Sequence, residues 1–282
     1  MISYNTDELS VQRVHQLLLG SVGPRPICFA STVDKNGKRN LAPFSFFNVV
    51  SANPPILVFA PNNSGRTGEP KHTYLNIKEV AEVVVNIVNF NMVQQMSLAS
   101  SPYSKETDEF LKAGFTPVAS DLIKPFRVKE SPVQLECRVE NVIEFGKEGG
   151  SGNLIICRVV KIHVDESILT ENEQIDQTKI DLVARMGGNW YCRAHGDALF
   201  EIEKPLTTCG IGIDVLPIHI RNSEILSGND LGILGNIETI PSEIEIETAS
   251  KEMGKINWST AKQLIQNGDG RKALAWLWSN NF

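Results

Sequence analysis

Residues 24–55 read PRPICFASTVDKNGKRNLAPFSFFNVVSANPP, and the fold turns on how this stretch is parsed. Residues 26–33 (PICFASTV) are apolar and β-branched enough for a buried strand. Asp34-Lys35-Asn36-Gly37 follows at once, and Asn-Gly between apolar runs is a strong hairpin signal, because both residues accept the positive φ of a tight turn. The run 41–50 is then the partner strand. Asn53-Pro54-Pro55 forces an extended break, and residues 56–60 (ILVFA) offer another buried strand. Antiparallel hairpins are therefore the building unit.

Working outward, 11–19 has apolar residues at 11, 14, 17 and 18 and Gly20 as a stop, which predicts a short amphipathic helix. Residues 61–70 (PNNSGRTGEP) form a polar loop of turn formers. A helical pattern over 72–80 precedes a strand at 82–88 (EVVVNIV). Residues 91–113 predict two short helices separated by Ser100-Ser101-Pro102. Two long strand patterns, 133–145 and 153–164, are joined by the glycine-rich GKEGGSG. About six strands in hairpins with helices at the periphery predict a mainly β fold, an antiparallel barrel rather than a parallel sheet. No GxGxxG follows a strand and no GxxxxGK[ST] occurs, so neither a Rossmann site nor a P-loop is supported.

Past Pro205 the texture changes to GIGIDVLP, RNSEILSGNDLGILGN, an acidic stretch and a last helical pattern. That last part predicts a helical hairpin, 259–266 and 271–278, broken at Asn267-Gly268. Trp276, Leu277 and Trp278 need a surface to pack on, and a docked C-terminal helix is the plain reading.

The 282 residues carry 27 Lys plus Arg against 33 Asp plus Glu, a net charge of -6. Duplex binding wants a basic stripe, so nucleic acid is not expected as a partner. The five cysteines are odd in number, and none has zinc-site spacing. Cys28, Cys137 and Cys157 lie in apolar runs and read as reduced core thiols, which suits a reducing compartment. No signal peptide and no membrane-spanning apolar run are evident, so a cytoplasmic protein without a membrane partner or a metal is expected.

Three segments could carry chemistry. In Ala42-Pro43-Phe44-Ser45-Phe46-Phe47-Asn48 the aromatics are either plain core residues or a wall for a flat, partly polar ring system. The loop Asn62-Asn63-Ser64-Gly65-Arg66-Thr67-Gly68, leading to Lys71 and Thr73 at a helix start, is either solvated surface or a phosphate site. Ala184-Arg185-Met186-Gly187-Gly188-Asn189-Trp190-Tyr191 could cover a cofactor, and His163 beside Asp165 is either structural or catalytic.

Together with KHTYLNI (71–77), EVVVNIV (82–88), SPVQLEC (131–137), VVKIHVDESIL (159–169) and ARMGGNWYCR (184–193), in that order, the opening stretch resembles the flavin reductase-like, FMN-binding split-barrel proteins. The resemblance covers roughly residues 10–205 and leaves 206–282 as a C-terminal extension, of which GNDLGILGN is similar to a segment in some longer relatives. It implies FMN on a split β-barrel, usually in a homodimer with flavin near the interface. It also implies NAD(P)H:flavin reductase activity, with a monooxygenase or other electron acceptor as partner. By position, Ser45, Phe46, Phe47 and Asn48 would meet the flavin ring. Asn62, Ser64, Lys71 and Thr73 would take the phosphate end. Many relatives have an acidic residue where this chain has His72. Arg185 and Tyr191 fall in a shared motif and, with His163, are candidate substrate or cofactor contacts. A flavoredoxin-like carrier with tightly held FMN, and a non-enzymatic split-barrel binding protein, are the alternatives.

Overall fold

The computed structural model describes residues 1–202 and 204–279, and the chain divides into two compact units, 1–200 and 201–282. In the first unit, helix α1 (Val11–Ser21) precedes β1 (Cys28–Val33), β2 (Arg39–Phe44), β3 (Phe47–Ala52) and β4 (Pro55–Phe59). Helix α2 (His72–Glu79), β5 (Glu82–Ile87), α3 (Val93–Ala99) and α4 (Glu109–Ala113) follow. A pair of two-residue strands, β6 (Pro117–Val118) and β7 (Arg127–Val128), leads to the long strands β8 (Val133–Glu144) and β9 (Asn153–Val164). Last come β10 (Val183–Arg185) and β11 (Tyr191–Arg193). The short hairpins β6–β7 and β10–β11 lie outside the strand pattern legible in the sequence.

The first hairpin forms where predicted, although of Asn36 and Gly37 only the glycine takes a positive φ. Asp34 Oδ1 accepts from the amides of Asn36 (2.8 Å) and Lys38 (2.9 Å), and Gly37 takes φ +81°. β1 then pairs β2 from Cys28↔Phe44 to Val33↔Arg39. The expected single strand over 41–50 is different: it breaks at Ser45-Phe46 into β2 and β3.

The break has a large consequence. The seven strands run β2-β1-β5-β8-β9-β4-β3, every pair antiparallel, so β2 and β3 are the two opposite edges of one sheet. Three Cα steps, from Phe44 to Phe47, reach about 11 Å at full stretch. The sheet must therefore roll until its edges lie that close, without bonding to each other. It is a barrel with a slot. Pro43, which has no N–H to give a neighbour, is tolerated in β2 because that strand is an edge.

Side-chain alternation fills both faces. Cys28, Ala30, Leu57, Phe59, Val85, Cys137, Ile155 and Cys157 pack inside the barrel, whereas Phe29 and Leu41 point outward against Met92, Met96, Phe110 and Phe115. This explains why all six residues of β1 are buried. The three interior cysteines are free thiols, and burial pushes the Cys28 thiol well above its ordinary value.

The described regular structure of the second unit is all helical. Besides the expected hairpin, α8 (Trp258–Gln266) and α9 (Gly270–Trp278), it contains α5 (Ile218–Arg221), α6 (Gly228–Gly235) and α7 (Glu243–Met253). Leu216, Ile220, Leu234, Ile265, Leu274 and Trp276 form its own core, and Trp276 Nε1 donates to Gly254 O at 3.0 Å. The surface that the tryptophan-rich helix needs is supplied within this unit. No helix of the described residues is long and apolar enough to cross a membrane.

Glu245 ties this unit together. It closes a capping box with Ser242 and receives two hydrogen bonds of 2.9 Å from Arg271. The Arg271 guanidinium, helped by the Ser242 amide and hydroxyl, lowers its carboxyl from 4.5 to about 2. A depressed folded-state value means stability that is present above about pH 4.5 and lost as pH falls through about 2. In denaturation followed by tryptophan fluorescence, Glu245→Gln should lower stability near neutral pH, and its gap to the parent chain should close as pH falls to about 2. A gap that persists unchanged at acid pH would contradict this.

Candidate active site

A cleft of about 700 Å³ opens in the first unit. One wall is the β2 edge and its continuation, Asn40 and Ala42 to Phe46; facing it are the loop before α2 and the first turn of that helix. Residues 99–103 and Glu109 close a third side, and His15 and Leu19 of α1 reach the rim.

Ser45 and Phe46 are here because they are the slot's link. The Ala60 amide donates to Phe46 O at 2.9 Å, which pins the link to the end of β4. Phe44 packs on Phe59 with ring centroids 5.8 Å apart, while Phe46 is 36% exposed and offers its ring to the cleft.

The loop is built rather than slack. Asn63 Nδ2 donates to Lys147 O (3.3 Å) and Glu148 O (3.4 Å), and its Oδ1 accepts from Asn153 Nδ2 at 3.0 Å. The glycine-rich turn between β8 and β9 is thereby its support. Ser64 Oγ accepts from the Thr67 amide at 3.2 Å, and Gly68, at φ +72°, takes a backbone bend that other residues resist. Asn62 Nδ2 donates to Gly150 O at 3.2 Å, whereas Asn62 Oδ1 is buried without a hydrogen-bond partner. Such an orphan costs about 1–3 kcal/mol unless a ligand satisfies it.

Helix α2 begins with Lys71 as N-cap, which makes no side-chain capping bond, and its first turn has no acidic residue. Its leading amides are free for an anion, and the helix dipole favours one. Arg66 and Lys71 line the same space, and neither has an ion pair among the described residues. Burial, then Lys105 and Lys71, hold the His72 pKa below its ordinary value. Arg66, Lys71 and the helix amides supply positive charge here without that histidine, opposed by the nearby Glu69.

Two features complete the walls. Glu109, 5% exposed, accepts from the Leu41 amide with Oε2 at 3.2 Å, which satisfies an outward N–H of the edge strand, and burial pushes its carboxyl pKa up. Arg25 donates to Leu19 O (2.8 Å), Val22 O and Met186 O (2.8 Å). It so holds the end of α1, none of whose residues is buried, beside the cleft.

Of the residues singled out from the sequence, the structure brings Ser45, Phe46, Asn62, Ser64, Lys71 and Thr73 to this one cleft. Phe47 and Asn48 are not among its walls. Strand alternation sends Phe47 into the barrel core, and Asn48 is exposed, its Oδ1 accepting from the Val49 amide at 2.8 Å. His163 is elsewhere, its Nε2 2.8 Å from Glu136 Oε1. Asp121, Glu136 and His163 place ligand atoms within 4.8 Å of one another, but those of Glu136 also accept from the Asp121 and Leu122 amides, at 2.8 Å each. Lys161 neutralises Asp121, so the group is a closed ion-pair network. Arg185 lies over the Tyr191 ring at 4.5 Å and donates to Gly188 O, outside the cleft walls. Sequence reasoning missed Asn40, Glu109 and His15. Asn40 and Glu109 are polar residues flanking apolar runs, a signal no stronger than that of an ordinary surface residue.

This fold has known counterparts. Residues 20–179 match the family model described as flavin reductase like domain. The uncharacterized protein BH2278 of Halalkalibacterium halodurans is 37% identical over 203 residues, covering 71% of this chain and 95% of the relative. Nitrilotriacetate monooxygenase component B from Bacillus cereus superposes with a TM-score of 0.67 at 32% identity, over 72% of this chain and 98% of that one. A split barrel protein from Shewanella frigidimarina superposes with a TM-score of 0.61 at 24% identity, over 72% and 100% of the two chains, a likeness of fold. The slotted antiparallel barrel is the split barrel, and this chain belongs to the flavin reductase-like family.

Proposed function

We propose that this chain binds FMN in the cleft and carries hydride from NAD(P)H to the flavin. The observation that carries the reading is that one space of about 700 Å³ joins an electropositive helix N-terminus to an aromatic strand link. A ligand fitting both is flat and partly polar at one end and anionic at the other. The volume is in the range of about 300–1,000 Å³ usual for such ligands.

The donor set fits FMN. Lys71, Thr73 and the first amides of α2 suit its phosphate, with Arg66 beside them. The orphan Asn62 Oδ1 suits a hydroxyl or ring N–H of the ligand. Phe46 and Ser45 supply an apolar face and a polar edge for the ring. When bound, the flavin accepts the hydride itself, so the protein need provide no acid or base for that transfer. The task of these side chains is to orient the ring, exclude water and hold the phosphate. Phe47, Asn48, His163, Arg185 and Tyr191 have no part in the cleft reading. Residues 10–205 are the flavin domain and 206–282 an appended unit, in a cytoplasmic homodimer that serves a monooxygenase or another electron acceptor.

Steady-state oxidation of NADH and NADPH with added FMN tests this; turnover with at least one donor is expected. No turnover with either would remove the reductase assignment, and tightly held FMN without turnover would make the chain an electron carrier. Lys71→Ala should weaken FMN binding about fivefold to tenfold. The loss is smaller than that of a buried hydrogen bond to a charged group because Lys71 is exposed. Riboflavin, which lacks the phosphate, should bind this variant as it binds the parent. Equal weakening of both ligands would place the phosphate elsewhere.

A further inference from the structure

Behind the proposed phosphate end, Thr73 belongs to a buried polar network. Asn40 of β2 donates through Nδ2 to Thr73 Oγ1 at 2.9 Å and to Thr32 Oγ1 at 3.3 Å. Asn76 Nδ2 also donates to Thr32 Oγ1, at 3.2 Å. Asn40, Thr32, Thr73 and Asn76 are 6%, 0%, 1% and 3% exposed. All four are buried, so their hydrogen bonds to one another govern which groups donate.

A hydroxyl has one O–H and two lone pairs, and an amide nitrogen only donates. The Asn40 amide therefore makes Thr73 an acceptor on its inner side. The Thr73 O–H is left as a donor pointing away from Asn40. Thr73 stands in the first turn of α2 and lines the cleft. There an outward O–H adds to the free helix amides as a donor for an anion. Asn40 itself is a cleft residue on the strand that continues into Phe44, Ser45 and Phe46, so it also joins the anionic end of the site to the ring wall.

We propose that Asn40 is a positioning residue for the flavin phosphate: by donating to Thr73 it commits that hydroxyl to donate to the phosphate. The inference rests on the FMN reading above. It names an action through Thr73, which a merely structural asparagine would not have.

The test measures dissociation constants for FMN and riboflavin, by quenching of flavin fluorescence, in the parent chain, Asn40→Ala, Thr73→Val and the double variant. Asn40→Ala should weaken FMN about tenfold, the loss expected for one hydrogen bond to a charged group. Riboflavin should change by less than about twofold, on the same scale. In the Thr73→Val background, Asn40→Ala should have no further effect on FMN, because the residue it acts through is gone. Should Asn40→Ala fail to fold, Asn40→Ser, too short to reach Thr73, should show the same selective loss. Weakening of both ligands alike, or additive losses of the two substitutions, would overturn the assignment. A parent chain that binds neither flavin would overturn the FMN reading and this inference with it; a parent that binds FMN beside a variant without selective loss would overturn the inference alone.

Discussion

Ser45 and Phe46 connect opposite edges of one seven-stranded sheet, and the reach of that short link constrains everything around it. With about 11 Å available between Phe44 and Phe47, the sheet has to roll up. Because the link passes across the slot rather than hydrogen-bonding it shut, an edge strand remains open to a ligand. Pro43 and the Glu109 carboxylate then dispose of β2 backbone groups that would otherwise invite another strand. A rolled sheet, a slot and an exposed aromatic at the slot follow from one connection.

The cleft's other half depends on electrostatics rather than chain reach. The loop from Asn62 to Gly68 is supported from behind by the Asn63–Asn153 pair and the turn between β8 and β9, and it delivers the chain to Lys71 at the head of α2. Leaving the N-cap without a side-chain bond would be a fault in a purely structural helix, since a good cap contributes about 1 kcal/mol. It is useful where an anion is to take the free amides. The orphan Asn62 acceptor belongs to the same pattern: polar capacity left unspent where a ligand is to spend it.

Local signals in the chain were good guides to local structure. Asn36-Gly37 announces its hairpin, and the β-branched run 82–88 its strand, because turn chemistry and side-chain fit act over a few residues. The break at Ser45-Phe46 is different. Alternation of Phe44, Ser45 and Phe46 reads as continuous strand, and only the pairing of distant strands shows that the chain changes edge there. For the same reason the sequence does not separate Phe47 and Asn48 from Ser45 and Phe46, although alternation within β3 turns one into the core and leaves the other outside the cleft. Asn40 was illegible because its partners, Thr32 and Thr73, come from other elements. In the second unit the acidic stretch concealed α7, whose helix is stabilised by the Ser242–Glu245 capping box and by Arg271 from α9.

If FMN binds as proposed, one cleft takes both of its ends. A crystal structure of the full chain grown with FMN tests this most directly. The phosphate is expected at the head of α2, within hydrogen-bond distance of Lys71 and Thr73, and the ring along Ser45 and Phe46. An empty cleft with flavin bound elsewhere, or the ring and phosphate in the reverse orientation, would contradict it.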